Sequence, residues 1–133
     1  MQANNLKLTN DGINNIVDDY TALIAATELL KTTGKAEYRK AASVRASALV
    51  KRLSGDKHYR NYWRADDKNR PFFHAAEAGF PVVSLMNYYP LASKKEQKTL
   101  MAAVRKQLEF ELALTNEVSN PFGLARQYVQ NVK

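Results

Sequence analysis

Cysteine is absent from the 133 residues, which excludes a disulfide scaffold, a thiolate zinc site and a cysteine nucleophile. Five glycines and four prolines are too few for a loop-rich architecture. No apolar run approaches the ~18 residues that a membrane span needs. The longest candidate, Ala22 to Leu30, is broken by Thr27 and Glu28. The opening Met-Gln-Ala-Asn-Asn has no basic segment followed by an apolar one, so no signal peptide is expected in the residues given. A Gly-x-Ser-x-Gly elbow and a glycine-rich phosphate loop are also missing. The two histidines, His58 and His74, stand apart, with no second ligand at metal spacing, so neither a metal nor a cofactor is expected.

What remains is a globular composition, 45% hydrophobic and 25% charged, at a length suited to a single domain. Lys+Arg exceed Asp+Glu by 20 − 13 = 7. Arg39, Lys40, Arg45, Lys51 and Arg52 share one helical pattern; Lys94, Lys95, Lys98, Arg105 and Lys106 share another. Basic faces of this kind can bind nucleic acid. Here Glu28, Glu37, Glu96, Glu109 and Glu111 dilute them and no helix-turn-helix spacing stands out. Neither nucleic acid nor a membrane is therefore expected as a partner.

Periodicity predicts an all-α chain. Residues 1–12 are polar and expected to be disordered, with a turn at Asn10-Asp11-Gly12. Ile16, Tyr20, Leu23, Ile24, Thr27 and Leu30 form one helical face, with Asp18 and Asp19 as first-turn or capping carboxylates and Gly34 as the stop. A second helix follows over Ala36 to Leu53, its stripe made of Tyr38, Ala42, Ala46, Leu49, Val50 and Leu53. So short a connection demands an antiparallel hairpin. A third helical stretch runs from Phe73 to Tyr89. Either Pro81 kinks it, or a turn over 73–79 leads into a helix with Pro81 near its start. Its latter half is apolar almost all round, which predicts burial on both sides. Ser93 and Glu96 make a capping box for a fourth helix, Lys94 to Thr115, with Leu100, Val104, Leu108, Leu112 and Thr115 as its expected core row. No strand signal competes.

Residues 55–72 lack either period and read as a loop. Tyr59, Tyr62, Trp63, Phe72 and Phe73 supply five of the thirteen aromatics (seven Tyr, five Phe, one Trp). Such a cluster serves either as a satellite core or as a stacking surface for sugars or bases. Asp18-Asp19 and Asp66-Asp67 are adjacent pairs. Glycoside hydrolysis needs carboxyls opposed across ~5–9.5 Å, and neighbours on a helix diverge by about 100°. Both pairs therefore read as caps or solvated charges. Arg70 and Arg126 read as surface ion-pair formers, and His74 as a helix-terminus histidine or a hydroxyl ligand.

The segments Phe72-Phe73-His74-Ala75-Ala76-Glu77-Ala78-Gly79-Phe80-Pro81-Val82-Val83, Gln107-Leu108-Glu109-Phe110 and Asn120-Pro121-Phe122-Gly123-Leu124-Ala125-Arg126-Gln127-Tyr128 occur in that order. With the hairpin from Asp18-Asp19-Tyr20 to Glu37-Tyr38, they resemble the late part of glycoside hydrolase family 9, its cellulases and exo-acting β-glucosidases and β-glucosaminidases. The resemblance implies a partial (α/α)6 barrel, inverting hydrolysis of β-linked glucan or amino-sugar oligosaccharides, and a periplasmic or secreted location. It places the family's water-activating Asp motif and its general-acid Glu on segments this sequence does not contain. No catalytic residue is carried over, and the chain alone is expected to be inactive. The implied sugar contacts are Trp63 by stacking, His74 and Arg126 by hydrogen bonding, and Tyr128, with Asp66 and Arg70 behind them. The implied partners are an oligosaccharide or polysaccharide, and either the remainder of the barrel or a second copy. An autonomous helical carbohydrate-binding or protein-interaction module remains the alternative.

Overall fold

A computed structural model describes residues 13–74 and 76–124. Asn15 starts the first helix, α1 (Ile16–Thr33), because its side chain accepts from the Val17 and Asp18 N–H groups while the Asp18 carboxylate accepts from Asn15 N–H at 2.9 Å. Asp18 is thus the capping partner. Gly34, at φ 67°, stops the helix in a left-handed conformation and donates its N–H to Leu30 O at 2.9 Å. Only Gly34 and Lys35 separate α1 from α2 (Ala36–Val50), so the two pack as the expected antiparallel hairpin. Ile16, Tyr20, Leu23, Ala26 and Leu30 of α1 meet Ala42, Ala46 and Leu49 of α2 in the main core.

The segment expected to be an irregular loop contains a two-stranded antiparallel ribbon, β1 (Leu53–Gly55) and β2 (Arg60–Trp63). The Asp56 carboxylate shapes its turn by accepting from His58 N–H at 2.8 Å and Tyr59 N–H at 2.7 Å. The register runs Leu53↔Trp63, Ser54↔Tyr62, Gly55↔Arg60, so Asn61 is an extra residue at a bulge, with φ 67°. A Cβ on Gly55 would stand 3.0 Å from Tyr59 O and 3.3 Å from Arg60 Cα, so a larger residue requires that backbone to give way. No alternation marks β2 because both of its faces are covered. Successive side chains point to opposite sides: Trp63 enters the main core, while Tyr62 joins Phe110 and Leu114 in a second cluster. The ribbon also shortens the second helix, which ends at Val50, before the expected Leu53.

A turn over 74–79, in which His74 O accepts from Glu77 and Ala78 N–H, leads into α3 (Phe80–Tyr88) with Pro81 in its first turn. The unkinked alternative is the one adopted. Burial on both sides is not. Phe80, Val83 and Met86 are 40%, 47% and 38% exposed, because the described elements packed on α3 cover only the Leu85–Tyr88 side. After a 3-10 turn at Tyr89–Leu91, Ser93 and Glu96 form the expected capping box of α4 (Lys94–Asn116).

The core row of α4 differs from expectation. Leu100, Ala103, Val104, Gln107, Phe110 and Leu114 are buried, whereas Leu108 and Leu112 are 48% and 64% exposed. A strict four-residue step advances about 40° around the helix each time, so Leu112 stands about 120° from Leu100. The mixed three- and four-residue steps to Leu114 stay on one side. The described chain is thus mostly helical with one small ribbon.

Candidate functional site

Two neighbouring polar groups arise from the stretch between β2 and α3. The first is the loop 64–71, closed by the Arg64↔Pro71 bridge and by Ala65 N–H donating to Arg70 O at 2.7 Å. Within it, Asp66 Oδ1 accepts from Lys68 N–H at 2.9 Å, and Oδ2 accepts from both the Nε and Nη2 groups of Arg70. This fork holds the Asp66 carboxyl below the usual carboxylate range. The Arg70 side chain is 65% exposed, so it has donors left for a hydroxylated or anionic ligand. Asp66 and Arg70 are therefore brought together, as a surface pair.

The second group sits on the 74–79 turn. His74 is exposed; its Nδ1 lies 3.4 Å from the Ala76 N–H. Glu77, half-buried, accepts from the Tyr20 hydroxyl at 2.5 Å. Burial first, then the Glu77 carboxylate, pushes the Tyr20 phenol upward, so it stays a neutral donor. The Tyr20 ring stacks on Phe80 at 5.8 Å and 13° and meets Phe72 at 6.1 Å. An exposed imidazole, a fixed carboxylate and a partly bare phenyl ring thus share one short turn. They suit the hydroxyls and the apolar face of a sugar ring. Among the described residues, no group of three His, Asp or Glu side chains could hold a metal ion.

Other expected site residues fall elsewhere. Trp63 is 2% exposed and belongs to the main core, so its ring offers no face to a sugar. The stacking role is corrected to a packing role: strand alternation turns Trp63 inward. Arg126 and Tyr128 lie outside the described residues, as do residues 1–12. Asn120–Gly123 forms a turn, with Gly123 N–H donating to Asn120 O at 3.0 Å. Asp19, read with Asp18 as a first-turn or capping carboxylate, does stand in the first turn of α1, but it is buried and paired with Arg52 and Arg45 rather than capping. Those two arginines consequently leave the supposed basic face. Tyr20, Glu77 and Phe80 escaped sequence reasoning. Tyr20 fits a core stripe, and a partner 57 residues away leaves no local signal.

Glu96 is a strongly perturbed carboxyl away from this region. It accepts from Ser43 Oγ at 2.5 Å, Ser93 Oγ at 2.6 Å and the Tyr88 hydroxyl at 3.2 Å. These donors, Ser43 foremost, bring it down to about 2 from 4.5. A lowered folded-state value means stability that is present above the unfolded value and lost as pH falls through the folded one. The melting temperature of the wild-type chain is thus expected to fall between pH 4.5 and 2 more steeply than that of Glu96→Gln. Equal slopes in parallel calorimetric scans would refute this. The role is structural: Glu96 ties α4 to α2 and α3.

No protein-family model matches the chain, and no curated protein is significantly similar to it.

Proposed function

We propose that this chain is part of a glycoside hydrolase similar to family 9, which acts on β-linked glucan or amino-sugar oligosaccharides by inverting hydrolysis. Its share would be staves of an (α/α)6 barrel and a stretch of substrate cleft, without the catalytic carboxylates. One observation carries the reading. The resembling segments follow each other along the chain in the family's order, the helices are joined in short-linked pairs, and the segment at 72–83 carries His74, Glu77 and Phe80. In this role Phe80 packs against the apolar face of a sugar, while His74 and Glu77 bond its hydroxyls. Asp66 holds Arg70 for a neighbouring ring.

The test is an amide NMR titration of the purified chain with cello- and chito-oligosaccharides, alongside a hydrolysis assay. The expected outcome is no hydrolysis, with saturable shifts centred on residues 66–70 and 74–80. Turnover by the chain alone would place catalytic carboxylates within it and overturn the proposal. Shifts elsewhere, or none, would overturn the assignment of the cleft.

A further inference from the structure

The faces of the two helical hairpins that point away from the core are unlike each other. Between α1 and α2 runs an open groove of about 690 Å³, floored by Ala22, Ala25, Ala26 and Ala41. Leu29 and Glu37 line one end and Asp18 the other, with Arg45 there already bonded to Asp19 and Asn14. Small side chains along two antiparallel helices leave a trough into which a third helix can point its large side chains. The outer face of α4 has the opposite relief. Leu108 and Leu112 project at 48% and 64% exposure, one turn apart. At about 100° per residue, Arg105 and Lys98 fall beside them on the same face. One surface is a hollow with a carboxylate at each end, and the other is an apolar ridge with a guanidinium beside it.

We propose that the α1–α2 groove receives the Leu108–Leu112 ridge of α4 from a second copy of this chain. Charge and spacing select that occupant. On α2 the row Glu37, Ala41, Val44 advances seven residues, and on α4 the row Arg105, Leu108, Leu112 also advances seven, each about 10.5 Å. With the helices side by side and Arg105 against Glu37, the two leucines lie over Ala41 and the alanines of α1. Val44 and Leu29, at 57% and 43% exposure, flank them. The ridge does not occupy the groove of its own chain, since both leucines are exposed. Contact between two different patches is heterologous, so each copy keeps one surface of each kind and assembly proceeds head to tail. Contiguous apolar surface on both sides of the contact supplies the driving force. None of the residues of the 66–80 region takes part, so the oligosaccharide titration and the association of copies fail or succeed separately.

Sedimentation velocity of the full 133-residue chain tests it. The wild-type chain is expected to sediment faster as its concentration rises. Glu37→Arg and Arg105→Glu, each alone, put like charges together and are expected to weaken association about tenfold or more. An equimolar mixture of the two variants is expected to associate again, since one groove then matches the other's ridge. Leu112→Lys is expected to weaken association while its circular dichroism and melting temperature stay at wild-type values, because the side chain is bare in the single copy. A wild-type chain that stays monomeric, single variants that associate undiminished, or a mixture that fails to recover would each overturn the proposal. In the first case the groove and ridge take some other occupant.

Discussion

Asp19→Ala is expected to cost about 3–5 kcal/mol of folding stability, read as a lower urea midpoint with an unchanged slope. Asp19 is 1% exposed. Its Oδ2 accepts from Arg52 Nε at 2.5 Å, and its Oδ1 accepts from Arg45 Nη1 at 3.0 Å and Asn14 Nδ2 at 3.1 Å. The Arg52 side chain is only 7% exposed, and its Nη1 and Nη2 groups also donate to Ala65 O and Asn14 O. Alanine removes the acceptor and leaves the guanidinium buried without a counter-charge, which is the costly half of breaking an internal ion pair. The double variant Asp19→Leu, Arg52→Met exchanges the pair for apolar groups and is expected to lose less than Asp19→Ala alone. A loss below about 1 kcal/mol for the single change would mean that Arg52 escapes to water and that the pair is no joint.

Trp63→Ala is expected to cost about 3–5 kcal/mol, because it empties the largest buried side chain of the core. The indole Nε1 has no hydrogen-bond partner among the described residues, so Trp63→Phe removes an orphaned donor along with ring volume. That change is expected to cost less than ring size alone implies. As the single tryptophan, Trp63 also reports on itself. Its emission should be blue-shifted and shielded from iodide in the folded chain, and unmoved by oligosaccharides. Emission typical of an exposed indole would contradict the packing role.

The helical pairs were legible in the sequence because the features that make them are local. Ser93 with Glu96, and Gly34, each act within four residues, and the first stripe, from Ile16 to Leu30, keeps a mixed three- and four-residue step; the Asn15 cap is equally local but went unread. The fourth stripe misled where it ran in fours only, and Leu108 and Leu112 stand out in consequence. The ribbon was hidden because Tyr62 and Trp63 are both buried, on opposite faces, which erases the alternation that marks a half-exposed strand. The site was legible only where partners are close in sequence. Asp66 and Arg70 are four residues apart, whereas Tyr20 with Glu77, and Asp19 with Arg52, depend on the tertiary arrangement. Trp63 was misplaced for the same reason as the ribbon: strand direction, not composition, decides which aromatic faces water.

The two-residue connection at Gly34 and Lys35 also sets an order of assembly. Closing so small a loop costs little chain entropy, so α1 and α2 can find each other from local contacts alone. The joints of the ribbon and the 74–79 turn close over 33 residues between Asp19 and Arg52, and over 57 between Tyr20 and Glu77. Until those arrive, Asp19 and the Tyr20 hydroxyl remain in water on the flank of a preformed hairpin. The step that dehydrates them is then expected to come after the hairpin has formed.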